Sequence, residues 1–428
     1  MKYIIYTLGC KVNQYETQAM ETILNSHGHT EAKKGETADA VIINTCAVTA
    51  EAGRKSRQTI NRLREENPHA VMAVSGCYSQ LTPDSVRKLG ADIIFGTGDR
   101  VKLIEAVENA AVSGEKASLI DKPFERRVFE DLPAGAVSGH TRALLKIQDG
   151  CHNFCSYCII PYTRGRVRSL PVPVAADKAA KLNAGGFKEL VITGIEIASY
   201  GMDLENRPDL ADVICAVSEA APDMRLRLGS IEPSVITEDF CRRLSAAGNV
   251  CRHFHLSLQS GCDAILKAMN RKYDTARFYE SVLLLRKYFP GCALTADLIM
   301  GFPSETDENV GETLEFLEKV GFADVHIFPY SRRPGTPADK LDGQIERAEK
   351  ARRAKTASAA AKKTRAAFLA ASVGKTLPVL FETFSNGMWQ GHSDTYLLVK
   401  AEGDELRGSV ENVLITEVCG DTLFGKIV

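Results

Sequence analysis

The sequence of 428 residues contains no apolar run that approaches the roughly 18 residues needed to span a membrane. Its opening, MKYIIYTLGC, is short and lacks the small-residue cleavage site of a signal peptide, so it predicts a buried strand. Hydrophobic residues make up 44% and charged residues 25%, which is typical of globular proteins. We therefore expect a cytoplasmic protein with no membrane association.

The sequence also lacks an excess of charge of either sign. Lysine and arginine number 53 against 54 acidic residues, which gives a net charge of −1. A uniformly basic surface is thereby excluded, and any contact with nucleic acid must come from local patches. The length exceeds what one hydrophobic core usually fills, so we expect two or three domains.

The most informative stretch lacks a fourth cysteine. Residues 150–168, GCHNFCSYCIIPYTRGRVR, place Cys151, Cys155 and Cys158 in a C-x3-C-x2-C run. A cubane cluster has four irons and is usually held by cysteine thiolates, so three leave one iron open to a non-protein ligand. A structural zinc site would need a fourth ligand, from His152 or a distant residue. A disulfide is disfavoured because cytosolic thiols stay reduced.

This loop resembles the signature of the radical S-adenosylmethionine (SAM) superfamily, in which the amino and carboxylate groups of SAM chelate the open iron. The resemblance implies that Cys151, Cys155 and Cys158 hold a 4Fe–4S cluster. It also implies that Tyr157, just before the last cysteine, lies against the adenine of SAM.

The N-terminal region, residues 1 to about 125, alternates apolar runs with helical patterns, which predicts a doubly wound parallel sheet. Helices are expected at about residues 16–27 and 52–67.

One cysteine follows each of the first three predicted strands: Cys10 in TLGC, Cys46 in NTC and Cys77 in SGC. Strand-to-helix loops of a parallel sheet share one edge, so these cysteines are expected to converge on a second cluster. The alternative is three unrelated core cysteines. It is weakened because Gly or Thr precedes each cysteine, where backbone can approach a cofactor closely.

The arrangement resembles the methylthiotransferase family, whose N-terminal domain carries an auxiliary cluster on three such cysteines. Within the family, residues 7–17, TLGCKVNQYET, resemble the branch that acts on threonylcarbamoyladenosine beside the anticodon of tRNA. Relatives that act on isopentenyladenosine tend to have a TFGCQMN-like string, and those that act on a ribosomal protein an SLGCPKN-like one.

The middle of the chain, about residues 135–370, contains six strand-like runs with helical patterns between them, after a linker at about 116–140. Such a pattern predicts a partial (β/α)6 barrel, with its chemistry in loops at the carboxyl ends of the strands. The resemblance implies that polar residues there line the SAM site, with Glu232 the best candidate for a SAM contact; each is equally compatible with a structural, capped role. These strand-end residues are Gly194, Glu196, Glu232, Pro233, Gln259, Asp297 and residues 301–303.

Three arginines alternate after the cysteine loop, at Arg164, Arg166 and Arg168. They predict either a solvated face or a guide for a polyanion such as RNA. A helix is expected at about 345–371, with a basic KKTR string that is also suited to RNA. The remaining cysteines are interpreted as buried free thiols; they are Cys215, Cys241, Cys251, Cys262, Cys292 and Cys419.

The C-terminal region, residues 371–428, has short strand-like runs broken by NG and GD turns, which predict a small antiparallel β-barrel. It resembles the TRAM domain that relatives use to hold tRNA. Phe384, Trp389 and Tyr396 are equally compatible with core positions.

The resemblance as a whole implies a radical SAM tRNA methylthiotransferase that uses two 4Fe–4S clusters, SAM and an external electron donor. The C2–H bond of adenine is neither acidic nor electrophilic, so the difficult step falls to a cofactor. The alternatives are a methylthiotransferase acting on another tRNA adenosine or on a ribosomal protein aspartate, and a non-catalytic iron–sulfur or zinc module that binds RNA.

Overall fold

The structure is a computed structural model that describes residues 1–33, 35–134 and 141–428. The first part of the chain forms a six-stranded sheet in the order β2-β1-β3-β4-β5-β6, and all neighbouring pairs are parallel. The strands are β1 (Lys2–Thr7), β2 (Thr30–Glu31), β3 (Ala40–Thr45), β4 (Val71–Gly76), β5 (Ile93–Phe95) and β6 (Ala117–Leu119). The helices are α1 (Lys11–Ser26), α2 (Ala50–Glu66), α3 (Cys77–Leu81), α4 (Pro83–Lys88) and α5 (Arg100–Ser113).

Helices cover both faces of this sheet. Tyr15 of α1 and Leu103 of α5 are buried in the core on one face, while Ile60 of α2 and Val86 of α4 are buried in the core on the other. The predicted doubly wound parallel sheet is confirmed. Because β1 lies between β2 and β3, the loops after β1 and β3 sit at the switch point, where such sheets bind ligands.

Two boundaries differ from the sequence prediction. Helix α1 begins at Lys11 rather than near residue 16. The first turn was missed because Asn13 and Glu16, which it buries, are polar and do not form a hydrophobic pattern. The predicted linker contains β6, which forms by pairing with β5 at the sheet edge. Residues 135–140 of that linker, and with them the expected start of the middle domain, lie outside the described residues.

The middle of the chain continues with strands β7 (Arg142–Asp149), β8 (Arg168–Ser169), β9 (Glu189–Gly194), β10 (Arg225–Leu228), β11 (Ser230–Ile231), β12 (His253–Gln259), β13 (Ala293–Met300) and β14 (Asp324–Pro329). Its helices are α6 (Ile160–Arg164), α7 (Val172–Ala184), α8 (Leu210–Ala220), α9 (Glu238–Ala247), α10 (Asp263–Ala268), α11 (Thr275–Tyr288), α12 (Asp307–Val320) and α13 (Arg347–Ala370).

These strands form two four-stranded sheets, β10-β9-β7-β8 and β11-β12-β13-β14, which a parallel bridge between Leu226 and Val250 joins. All six predicted barrel strands are present, as β7, β9, β10, β12, β13 and β14. No ladder between described residues joins β8 to β14, so the barrel stays open on one side. The predicted partial (β/α)6 barrel is confirmed.

The C-terminal strands β15 (Thr376–Ser385), β16 (Met388–Ser393), β17 (Leu398–Ala401), β18 (Val410–Cys419) and β19 (Thr422–Ile427) close into a barrel in the order β15-β16-β17-β19-β18. The prediction of a purely antiparallel barrel is wrong at one pair, because β17 and β19 run parallel. Strand β16 was not predicted because MWQGHS has no apolar alternation; its pairing with both β15 and β17 creates it. Phe384 is not a core residue, since 59% of it is exposed.

The remaining cysteines are mostly buried as expected, but Cys419 is exposed at the end of β18 and Cys215 is only partly buried. The prediction that all six are buried is therefore wrong for these two. Among the described residues, no helix is both long enough and apolar enough to cross a membrane.

Candidate active site between two groups of three cysteines

The N-terminal cysteine group, Cys10, Cys46 and Cys77, lies at the carboxyl ends of β1, β3 and β4. Gly9 has φ +110°, and a Cβ built on it would lie 2.9 Å from the Cβ and 3.1 Å from the Sγ of Cys46. Gly76 has φ +97°, and a Cβ there would lie 2.4 Å from the carbonyl oxygen of Thr45. Glycine thus permits two of the three loops to approach closely.

The thiols of this group are near enough to influence one another. Burial, and then the charge of Cys77 with a smaller effect of Cys10, raises the pKa of Cys46 to about 11. Burial also raises the pKa of Cys10, while the nearby Arg164 opposes that shift. The structure therefore brings together three cysteines that are far apart in the sequence.

The loop cysteine group, Cys151, Cys155 and Cys158, follows β7 directly. The backbone N–H of Asn153 donates to Cys151 Sγ over 3.5 Å, and Arg271 Nη1 donates to Cys155 Sγ over 3.0 Å. These donors suit thiolates better than thiols, since each supplies positive charge toward sulfur.

The two cysteine groups face one another. Helix α3, which begins at Cys77, packs against α6, which begins two residues after Cys158. Burial, and then Cys155, raises the pKa of Cys158 to about 12, and the charge of Cys77 contributes to this shift. Across the same contact, Thr97 Oγ1 donates to the carbonyl oxygen of Thr163 over 2.6 Å.

Both groups fit a cubane cluster better than a zinc ion. Tetrahedral zinc with bonds of about 2.3 Å places its sulfur ligands roughly 3.8 Å apart. Within the described residues, neither cysteine group has its three sulfur atoms within 4.8 Å of one another. A cluster spreads its thiolates over several irons, so its sulfur ligands lie farther apart than those of a single zinc ion.

Beside the loop cysteine group, Glu196 and Glu232 meet at the ends of their strands. Asn153 Nδ2 donates to Glu232 Oε2 over 2.9 Å and lies 3.5 Å from Glu196 Oε2. Burial, and then the charge of Glu232, raises the pKa of Glu196 to about 7. Arg271 Nη2 lies 3.4 Å from Glu232 Oε2 and has no hydrogen-bond partner among the described residues.

This arrangement fits the amino acid portion of SAM. Its ammonium group matches the two carboxylates, and its carboxylate matches the unsatisfied guanidinium nitrogen of Arg271. Tyr157 packs at the edge of an apolar cluster that includes Met269 and Phe302, and burial holds its pKa well above the ordinary value. The sequence did not indicate Arg271, because Cys155 and Glu232, which it contacts, lie on other elements, 116 and 39 residues away in the chain.

A central cavity of about 620 Å³ extends from Cys10 into the lumen of the middle barrel. Gly194 and Asp297, two of the predicted strand-end residues, line it. Asp297 lies 3.3 Å from His255 Nε2 and 3.4 Å from His326 Nδ1, and these two histidines were not identified from the sequence. The wall of the cavity also includes Lys11, Gln14, Thr193, His253, Thr295, Asp324, Phe328, Arg365 and Tyr396.

Both predicted roles of Arg164 and Arg168 are wrong, because both side chains are buried. Arg164 Nη1 donates to Glu16 Oε1 over 2.5 Å, and its Nη2 donates to Asn13 Oδ1 over 2.9 Å. Arg168 donates to the carbonyl oxygens of Arg164 and Arg166. Arg168 is held inward by the pairing of β8 with the end of β7, and Arg164, at the end of α6, by its bonds to Glu16 and Asn13. Of the three arginines, Arg166 alone is exposed.

Asn13 extends this buried network to the N-terminal cysteine group. Its Nδ2 donates to the carbonyl oxygens of Leu8 and Thr45, over 2.7 and 3.1 Å, and its Oδ1 lies 3.7 Å from Cys10 Sγ. Arg164 follows the loop cysteines in sequence and contacts Asn13. The same hydrogen bonds therefore hold both cysteine loops in one arrangement.

Comparisons with known proteins agree with this geometry. Residues 2–96 match the uncharacterized protein family UPF0004, and residues 145–317 match the radical SAM superfamily. The chain is 36% identical, over 94% of its length and 90% of the relative, to threonylcarbamoyladenosine tRNA methylthiotransferase MtaB of Bacillus subtilis. It is 35% identical to the MtaB protein of Thermotoga maritima, covering 92% of this chain and 89% of that one.

A tRNA-2-methylthio-N(6)-dimethylallyladenosine synthase of Syntrophomonas wolfei is 32% identical, with 100% of this chain and 98% of that one covered. Among solved structures, the radical SAM methyltransferase TsrM of Kitasatospora setae matches with a TM-score of 0.59 and 17% identity, over 79% of this chain and 76% of that one. The structural likeness shows the fold. The similarity in sequence, which spans both cysteine groups and almost the full length, shows that the chain belongs to the radical SAM methylthiotransferase family, enzymes that use 4Fe–4S chemistry and SAM.

Proposed function

We propose that this enzyme methylthiolates the C2 carbon of threonylcarbamoyladenosine beside the anticodon of tRNA, with one 4Fe–4S cluster on each cysteine group. The observation that carries the proposal is the approach of Cys77 to Cys158 across the interface of two domains. A reaction that joins SAM cleavage to sulfur transfer needs both centres at one substrate. The names of the Bacillus subtilis and Thermotoga maritima relatives support the choice of nucleoside.

When bound, the clusters and SAM supply the radical chemistry that an unactivated C–H bond requires. The protein holds and orients them. Cys151, Cys155 and Cys158 would hold the cluster that binds SAM, and Cys10, Cys46 and Cys77 the auxiliary cluster.

The remaining site residues position SAM. Glu196 and Glu232 would receive its ammonium group, Arg271 its carboxylate and Tyr157 its adenine.

The central cavity supports a small, unstacked nucleoside as the substrate. Its volume of about 620 Å³ lies within the 300–1,000 Å³ that is usual for pockets that enclose small ligands. Anticodon-loop bases are unstacked easily, which is how proteins usually recognise RNA sequence. The C-terminal barrel, with its exposed Phe384, supports an additional contact to the tRNA.

A second candidate substrate is dimethylallyladenosine, because a synthase of its methylthio derivative is almost as similar as the MtaB relatives. The wall of the cavity disfavours it. Lys11, His255, Asp297 and His326 are polar or charged, whereas a dimethylallyl group is apolar and leaves such side chains without partners.

The test is a reaction of the anaerobically reconstituted enzyme with SAM, a chemical reductant and tRNA that carries one of the two nucleosides. Mass spectrometry of the digested tRNA identifies the product. We expect the methylthio derivative of threonylcarbamoyladenosine and none of dimethylallyladenosine. Methylthio product on dimethylallyladenosine alone, or on neither, would contradict the proposal.

A further inference from the structure

Lys11 has an unusual position among the charged residues of the central cavity. It is the first residue of α1, directly after Cys10, and it lines the cavity. Its ammonium group makes no hydrogen bond or ion pair with any described residue. Lys11 keeps accessible surface, and it is one of the residues that line the cavity.

The ammonium group extends into the barrel lumen rather than toward the outer surface. Its charge acts on His253 and His326, which lie on strands β12 and β14 inside the barrel. It also lies within electrostatic range of Arg142 and Glu189, which begin β7 and β9, and of Arg227 in β10.

Among the described residues, each carboxylate that lines the cavity or influences Lys11 already has another partner. Asp297 is held between His255 and His326. Asp324 is paired with Arg365.

Glu189 is bound by Arg225 and Arg227. A positive charge without a counter-ion remains at Lys11, and a cavity of this kind favours an anionic ligand.

We propose that Lys11 binds the carboxylate of the substrate's threonyl group, so that this subsite selects a nucleoside with an anionic N6 substituent. The inference rests on the proposed function. The threonylcarbamoyl group ends in a carboxylate, which needs a cation when it leaves water for the cavity. Lys11 supplies a compact charge with three donors. A neutral substituent would leave Lys11 desolvated and unpaired, which is the basis of its rejection.

The position of Lys11 connects the subsite to the reaction. Lys11 adjoins Cys10, so a nucleoside whose carboxylate lies at the ammonium group also lies near the N-terminal cysteine group. SAM has its own candidate cation in Arg271, on the side of the loop cysteine group. The carboxylate of SAM and the carboxylate of the threonyl group thus have separate partners, Arg271 and Lys11.

The test compares Lys11→Met, which keeps the length of the side chain and removes its charge, with Lys11→Arg, which keeps the charge. Lys181→Met is the control, since Lys181 is exposed on α7 and, among the described residues, forms an ion pair only with Asp177. The substrates are anticodon stem-loop RNAs that carry threonylcarbamoyladenosine or its neutral methyl ester.

We expect Lys11→Met to lower kcat/KM on the acid roughly 10- to 100-fold, mainly through KM, as the loss of a charged hydrogen bond requires. Its activity on the ester should match that of the wild type, and Lys11→Arg should recover part of the loss. Iron content, the KM for SAM and the yield of deoxyadenosine should stay at wild-type values, as should all properties of Lys181→Met.

Three results would overturn the inference. An equal loss on acid and ester, with a smaller dependence of KM on salt, would assign the anion to an RNA phosphate. A raised KM for SAM would assign it to the carboxylate of SAM. Unchanged activity on the acid would leave Lys11 without a role in binding. A wild-type enzyme that ignores threonylcarbamoyladenosine altogether would instead refute the proposed function.

Discussion

Single residues decide how closely the cysteine loops approach. The glycines before Cys10 and Cys77 have positive φ, and side chains at either position would enter the space of the neighbouring loop. The spacing of the loop cysteines was sufficient to predict their site from the sequence alone. The N-terminal group could be predicted only from the topology of a parallel sheet. Neither spacing nor topology indicated Arg271, because it contacts Cys155 from 116 residues away.

We predict that Gly76→Ala disrupts the N-terminal cysteine group. Both Gly76 and Gly114 have positive φ, at +97° and +74°, but a Cβ on Gly114 meets nothing within 4 Å. Gly114→Ala should therefore cost only about 1 kcal/mol of unfolding free energy for its backbone conformation. Gly76→Ala should cost more and should lower iron content at that site. Equal stability and iron in both variants would show that the crowding at Gly76 is unimportant.

At the scale of elements, helix α1 joins the sheet domain to the barrel. Cys10 is the residue just before this helix, and the first turns carry Lys11, Asn13 and Glu16. Burial alone raises the pKa of Glu16, but Arg100, Arg164 and Lys146 together hold it below its usual range. The sequence could not predict this turn, because its buried residues are polar and their partners come from other elements.

Glu16→Gln should therefore destabilise the protein strongly. Removing the carboxylate takes from three buried cations the one partner common to all of them, and breaking a buried pair of this kind costs about 3–5 kcal/mol. The measurement is the free energy of unfolding in denaturant. Glu51→Gln, which breaks an exposed pair with Arg54, should leave stability close to that of the wild type. Similar unfolding free energies for the two variants would contradict the account of α1.

The hairpin of β15 and β16 presents an aromatic pair, with the rings of Phe384 and Trp389 5.3 Å apart. If this barrel holds RNA, Phe384→Ala should weaken tRNA binding by about 1–3 kcal/mol, the range for one stacked base. Leu283→Ala removes a similarly exposed apolar side chain from α11 and serves as the control. Unchanged affinity for tRNA after Phe384→Ala would exclude this hairpin from the interface.

At the scale of the whole molecule, the C-terminal barrel also helps to form the central cavity. Arg225 and Arg227 donate to backbone carbonyl oxygens of this barrel, and Tyr396 stacks between His253 and His392. The fold class was predictable because strand and helix patterns are local. The packing of the C-terminal barrel against the middle barrel was not predictable, because it depends on Arg225 and Arg227, whose partners lie up to 167 residues away.

The central claim is that two cysteine groups on different domains hold separate clusters that act on one substrate. Cys46→Ala tests it most directly, with Cys241→Ala as a control at a buried cysteine of the barrel core. We predict that Cys46→Ala keeps about half the iron, since each cluster has four irons. It should still cleave SAM to deoxyadenosine and yield no methylthio product. Cys241→Ala should keep all three properties.

The decisive measurement is the ratio of methylthio product to deoxyadenosine in one reaction of Cys46→Ala. The account predicts deoxyadenosine without methylthio product. Wild-type iron content with wild-type product, or the loss of deoxyadenosine together with the product, would contradict the assignment of separate clusters to the two cysteine groups.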